Sequence, residues 1–228
     1  MVAAWFILRG MKLYSYFRSS ASFRVRIALA LKGLAYDYAP INLLAGEQRQ
    51  SAYQALAPDA LVPLLEDGDF VLWESNAILQ YAADKIGNDA VYPRDPARRA
   101  DLNRWLFWES ANWFPACYTF LVENCVKPLL GGQADEQVLN NNLPQFHKLA
   151  GILNQRLSDR DFVMGAQPTI ADIALASPMH LHGWQQLPLS AHPHLKRWIT
   201  QSMESLPSWQ RTWVGQGFTL QRPLQEAA

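Results

Sequence analysis

Apolar and aromatic side chains crowd residues 12–17 (Lys12-Leu13-Tyr14-Ser15-Tyr16-Phe17), and a polar cluster bounds them, which predicts a short strand. The spacing then changes. Val25, Leu29 and Lys32 recur at helical intervals and Gly33 follows as a C-terminal stop, so a helix is expected there. A second strand is expected over residues 37–41, and the polar stretch 44–55 reads as a loop with a weak helix. Val62-Pro63-Leu64-Leu65-Glu66 reads as a third strand, Asp67-Gly68-Asp69 as its turn, and residues 70–73 as a fourth. Glu74-Ser75-Asn76 then opens a helix whose apolar positions are Ile78, Leu79, Ala82 and Ile86. Residues 11–86 thus alternate strands and helices as βαβ followed by ββα.

Residues 87–96 hold Gly, Asn, two Asp and two Pro, a linker composition. From residue 97 to 228 no β-alternation remains, and the pattern is helical throughout. A long aromatic helix spans residues 98–118, carrying Trp105, Phe107, Trp108, Trp113 and Phe114, with a bend expected at Pro115. A second covers residues 136–157, interrupted by Pro144; a third opens on Pro193 and is ended by Leu206-Pro207. The expected fold is an α/β unit followed by an all-α unit.

The chain has 228 residues, half of them hydrophobic and 12% aromatic, enough for a substantial core. Twenty basic and twenty acidic residues cancel, which leaves no electrostatic footprint for nucleic acid or an anionic membrane. No run reaches the roughly 18–20 apolar residues that a membrane span needs. Cys117 and Cys125 form neither a C-x-x-C pair nor a disulfide-dense pattern, and a reducing, cytoplasmic setting is expected. The apolar residues 1–10 lack the basic start and long core of a signal peptide; Met11 is the expected natural start, with an upstream extension before it.

The chemistry concentrates where the first strand turns into the first helix. A helix start leaves backbone N–H groups unpaired and carries partial positive charge, so it favours an anion. Ser19, Ser20 and Ser22 lie there, and a thiolate is one such anion, to which a hydroxyl can donate. Plain helix capping by these serines is the alternative. Thr169 and Asp172 form a variant capping box, a structural feature. The spacings His180-x-His182 and His192-x-His194 do not make a metal site, because residues two apart point to different faces of a helix.

The run YSYFRSSASFRVRIALALKG, continued by Pro40-Ile41-Asn42-Leu43, closely resembles the start of zeta-class glutathione transferases, whose members include maleylacetoacetate isomerases. The likeness is strongest over residues 13–84 and falls to superfamily level beyond Pro96. It implies the glutathione transferase fold, a thioredoxin-like domain at 11–86 and an all-helical domain at 97–228. It further implies glutathione as co-substrate, no metal, a small electrophile and a homodimer. Ser19, with Ser20 as the alternative, would donate to the glutathione thiolate, whose free thiol has a pKa of about 8.5. Val62, before a Pro63 that is typically cis in this fold, would pair with the cysteinyl backbone. Ser75 would take the γ-glutamyl carboxylate, Glu74 its ammonium, and Gln48 would contact the peptide. Arg24, on the first helix with Arg26, would reach the active-site loop; a surface charge is the alternative. Tyr16, Trp108 and Trp113 are candidates to line the second-substrate pocket. Three positions depart from the zeta pattern: Ala21 stands where those enzymes carry the cysteine that assists isomerisation, Phe23 replaces a tryptophan, and Glu74 replaces a glutamine. The resemblance leaves three readings: a glutathione transferase, an isomerase of maleylacetoacetate-like acids, and a non-catalytic glutathione-binding protein.

Overall fold

The computed structural model describes residues 10–213, so the expected extension and the last residues of the chain lie outside the described part. Strands β1 (Met11–Ser15), β2 (Asp37–Pro40), β3 (Leu64–Asp67) and β4 (Phe70–Trp73) form one sheet in the order β2-β1-β3-β4. β1 and β2 are parallel, while β3 is antiparallel to both β1 and β4. The parallel pair requires a crossover, which helix α1 (Ser20–Lys32) supplies. Gly33 ends α1 in the left-handed conformation (φ 65°), as its lack of a Cβ permits. The polar stretch after β2 holds a single 3₁₀ turn (Glu47–Arg49) and the short helix α2 (Ser51–Gln54).

Two strands differ from expectation. β1 stops at Ser15, because the chain reverses at once and the Ser19 N–H donates to the Tyr16 carbonyl at 3.0 Å. β3 begins at Leu64 and not at Val62: Pro63 has no N–H for the ladder, and Leu64 is the first residue to pair, with Trp73. The Val62–Pro63 peptide bond is cis.

Helix α3 (Ser75–Ile86) follows β4 directly and packs with α1 on one face of the sheet. Leu13, Val25, Leu29, Leu65, Ile78 and Ala82 fill that interface. Tyr53, Ala57, Val62 and Leu64 form a smaller cluster on the sheet's other face. The helical layer begins with α4 (Pro96–Trp108), which passes through a π-helical turn (Glu109–Trp113) into α5 (Phe114–Leu121). Pro115 sits in the first turn of α5, so the wider turn before it absorbs the missing N–H that was expected to bend the helix. A second π-helical turn (Val122–Val126) carries the run on into α6 (Lys127–Leu129), well beyond the expected end near residue 118. Helix α7 (Glu136–Arg156) continues through Pro144 without interruption.

The remaining helices are short: α8 (Ile170–Ala176), α9 (His182–Gln185), α10 (Pro193–Arg197) and α11 (Pro207–Thr212). Pro207 opens α11 as well as closing the preceding segment, and Trp209 of α11 packs edge-on against Phe23 at 4.8 Å. The fully buried Asp172 carboxylate accepts from the Thr169 N–H and hydroxyl, both at 2.9 Å, and from the Val163 N–H at 2.7 Å. One continuous core joins the layers: Phe23 and Ile27 of α1 and Leu79 of α3 belong to the same cluster as Leu102, Phe146, Leu153 and Ile173. Among the described residues, no helix is long and apolar enough to cross a membrane.

Candidate active site

Ser19 is the N-cap of α1. Its backbone is extended (φ −73°, ψ 124°) and its Oγ accepts the Ser22 N–H at 3.2 Å. A hydroxyl used as an acceptor keeps its proton for donation. The other two serines are placed differently. Ser22 is fully buried with its Oγ accepting the Tyr16 N–H at 3.4 Å, and Ser20 is buried at the first helical position. Ser19 alone of the three is half-buried.

The start of α3 is the second helix terminus at this end of the sheet. Glu74 occupies its N-cap position but offers the helix no side-chain hydrogen bond. Glu74 also holds φ 71°, a left-handed conformation that costs a non-glycine residue on the order of 1–3 kcal/mol. Strain of that kind concentrates where a side chain must be aimed. Without a side-chain cap, the first N–H groups of α3 are available to an anionic ligand.

Ala21, Val62, Pro63, Glu74 and Ser75 line one cleft of about 280 Å³, to which the π-helical turn and α5 contribute Glu109, Ser110 and Phe114. Arg24 completes the floor, and Asp59 and Leu61 lie at the rim. The guanidinium, only 2% exposed, forms a two-pronged pair with Glu109: Nη1 to Oε2 at 2.9 Å and Nη2 to Oε1 at 2.5 Å. Its Nε donates to Ser177 Oγ and Nη1 to Asn76 Oδ1, each at 2.8 Å. The Asn76 Nδ2 returns to Glu109 at 3.0 Å and Ser110 at 2.9 Å. This buried network ties α1, α3 and the π-helical turn together beneath the cleft. Arg24 is therefore not a surface charge, and the arginine that reaches the loop before Ser19 is Arg26, whose Nη2 donates to the Phe17 carbonyl at 2.9 Å.

No protein thiol is available as a nucleophile among the described residues. Burial, with Glu109 nearby, pushes Cys117 well above its ordinary value, and burial pushes Cys125 up to about 12. No group of His, Cys, Asp or Glu among the described residues is arranged to hold a metal ion.

Comparison with known proteins fits this geometry. Residues 9–84 match the family model "Glutathione S-transferase, N-terminal domain", and residues 107–206 match "Glutathione S-transferase, C-terminal domain". The chain is 30% identical to glutathione S-transferase D7 of Drosophila melanogaster over 203 residues, covering 87% of each protein. The chain belongs to the glutathione S-transferase family. Maleylacetoacetate isomerase of Pseudomonas aeruginosa is 34% identical over 190 residues, 82% of this chain and 88% of that protein. Glutathione S-transferase Z1 of Arabidopsis thaliana is 51% identical over 90 residues, 40% of this chain and 41% of that protein. The likeness to zeta-class members is carried by the N-terminal part. The solved structure of glutathione S-transferase-I bound with lactoylglutathione superimposes with a TM-score of 0.80 at 29% identity, covering 89% of this chain and 98% of that one.

Within this glutathione transferase, the structure gathers some of the expected residues and separates others. Val62, Pro63, Glu74 and Ser75 share the cleft, and Ala21 faces it one residue after Ser20. Gln48 lies on the 3₁₀ turn outside the lining, with a buried Oε1 that has no protein partner. Tyr16 packs against the cluster on the second sheet face and stacks edge-on with Phe17 at 5.1 Å. Trp108 and Trp113 are corrections. Trp108 lines a separate cavity of about 580 Å³ with Trp105, Ile152 and Arg156. Trp113 is a core residue, fully buried, its Nε1 donating to the Leu175 carbonyl at 2.9 Å and its ring 5.3 Å from Phe146. A narrow helical turn would have rotated different side chains toward the cleft. The π-helical turn instead presents Glu109 and Ser110, and the start of α5 presents Phe114, all of which sequence reasoning missed. One signal was available: Glu109 is a lone carboxylate among Trp105, Trp108 and Trp113, and a buried acid of that kind requires a partner.

Proposed function

We propose that this glutathione transferase holds glutathione as a thiolate at the α1 N-terminus and directs it at a small electrophile in the adjoining cleft. The reading is supported by one cleft lined by Ala21 of the first turn of α1 and by Ser75 at the start of α3. Ser19 and Ser20 lie just before Ala21, outside the lining; Ser19 keeps a hydroxyl proton to donate, and the first N–H groups of α3 have no side-chain cap. In this reading the Ser19 Oγ–H donates to the sulfur, with Ser20 as the alternative donor, and the helix start lowers the thiol pKa. Ser75 and the first N–H groups of α3 take the γ-glutamyl carboxylate, and Glu74 takes its ammonium. Val62 pairs its backbone with the cysteinyl unit, and the unpartnered Gln48 Oε1 supports a contact with the peptide. Residues 11–86 then serve as the glutathione-binding unit, 87–96 as the linker and 97–228 as the helical unit that shapes the electrophile site. The buried, unpaired Cys117 and Cys125 support a cytoplasmic enzyme, and the family likeness supports a homodimer.

Calorimetry on the wild type and Ser75→Ala tests the peptide site. We expect weaker glutathione binding in the variant. Equal affinities would remove Ser75 from the site, and no binding by the wild type would overturn the reading.

Isomerisation of a maleylacetoacetate-like acid is the second reading, supported by the likeness to the Pseudomonas aeruginosa enzyme. Against it stands Ala21, a methyl group on the cleft wall where zeta members carry a thiol.

A further inference from the structure

The cleft holds more negative than positive charge. Its lining includes one guanidinium, Arg24, and three carboxylates, Asp59, Glu74 and Glu109. Arg24 is fully engaged by Glu109, so this pair presents little net charge to a ligand. Glu74 and Asp59 form no ion pair among the described residues. Glu74 is assigned to the glutathione ammonium, which leaves Asp59 as the lining carboxylate with neither an ion pair nor an assigned ligand group.

Asp59 is also held in place. Its Oδ1 accepts the Leu61 N–H at 3.2 Å, while Tyr53 Oη donates to the Leu61 carbonyl at 2.6 Å. Both backbone groups of Leu61 are thereby used by the loop itself. Ala60, between them, adopts φ 55°, and its N–H donates to the Ala57 carbonyl at 3.0 Å. A left-handed alanine is unfavourable and persists only where its surroundings determine it. The strain and the paired bonds fix this carboxylate beside the exposed Leu61 side chain, at the mouth of the cleft.

We propose that Asp59 is a specificity-determining residue that rejects anionic electrophiles, so that uncharged electrophiles are preferred over carboxylate-bearing ones. This rests on the glutathione reading above. Glutathione enters already anionic, and its thiolate adds charge near the incoming electrophile; a further carboxylate meets repulsion from Asp59 with no free cation in the lining to offset it.

The test compares two electrophiles with the same chemistry, chlorodinitrobenzene and its anionic analogue chlorodinitrobenzoate. In each, the thiolate sulfur forms a bond to the ring carbon, the carbon–chlorine bond breaks, and chloride leaves with the electron pair; nothing is oxidised or reduced. We expect wild-type kcat/KM, corrected for the uncatalysed rates, to favour the uncharged compound about tenfold, and the margin to shrink as salt is raised. Asp59→Asn should cut that margin about threefold, as removing one partly screened charge at the cleft mouth would, with KM for glutathione unchanged. Asp59→Glu should restore it. Equal use of both compounds by the wild type, or an unchanged margin in Asp59→Asn, would overturn the proposal. A raised glutathione KM at constant margin would do so too, and would assign Asp59 to glutathione instead. Failure to conjugate either compound, despite measurable glutathione binding, would overturn the transferase reading on which the proposal rests.

Discussion

Replacing Arg24 by Met tests whether the buried network beneath the cleft is a joint between the two layers. Arg24 and Glu109 are 2% and 0% exposed, so removing the guanidinium leaves a carboxylate with no access to water. The donors remaining to it are Asn76 Nδ2 at 3.0 Å and Ser110 Oγ at 3.5 Å. Breaking a buried pair by deleting one partner costs about 3–5 kcal/mol. The double variant Arg24→Met/Glu109→Leu removes both charges, and the charge penalty goes with them. What remains is Asn76, which loses its Oδ1 donor and one Nδ2 acceptor, and the buried Ser177 Oγ, which loses the Arg24 Nε donor, together worth about 1–3 kcal/mol. Urea unfolding should therefore rank the single variant as less stable than the double, with similar m-values across the set. Asn76 follows Ser75 in the chain, so glutathione KM should rise in both variants. A single-variant cost below about 1 kcal/mol, or a double variant whose loss equals the sum of both singles, would refute the reasoning.

Two further outcomes follow from the structure. Ala21→Cys should raise isomerisation of maleylacetoacetate-like acids while leaving conjugation close to wild type; isomerisation already fast in the wild type and unchanged by the thiol would identify a true isomerase. His180 is enclosed in the core, and burial pulls it down to about 4 from 6.5, so it contributes stability above pH 6.5 that is lost as pH falls toward 4. Burial pushes Asp172 the other way, up to about 6 from 3.8, so its contribution is lost as pH rises from about 4 to 6. The two slopes oppose, and His180→Gln should unmask that of Asp172: its urea midpoint should fall with rising pH between 4 and 6 more steeply than the wild type's, and parallel profiles would exclude this role for His180.

The α/β unit was legible because its signals are local. Alternation marked the strands, Gly33 marked the end of α1, and the serine cluster marked the helix start that now lies beside the cleft. The helical unit was legible as helical but not in its facing. Periodicity at normal helical spacing cannot anticipate a π-helical turn, and one such turn at Glu109–Trp113 decides which side chains look into the cleft. That is why Trp113, an obvious aromatic, proved to be core, while Phe114 beside it lines the site. Arg24 shows the same limit. A charge on an amphipathic helix reads as exposed until a partner 85 residues away is brought against it.

The central claim is that the Ser19 hydroxyl stabilises the glutathione thiolate. Thiolate absorbance of enzyme-bound glutathione, titrated with pH in the wild type, Ser19→Ala, Ser20→Ala and Ser22→Ala, tests it most directly. One hydrogen bond to a charged group contributes about 1.5–3 kcal/mol, or roughly one to two pH units in the thiol midpoint. The account predicts a wild-type midpoint below the free thiol's value of about 8.5, raised by that amount in Ser19→Ala and little changed in the other two. A rise confined to Ser20→Ala, or a Ser19→Ala midpoint equal to the wild type's, would contradict it.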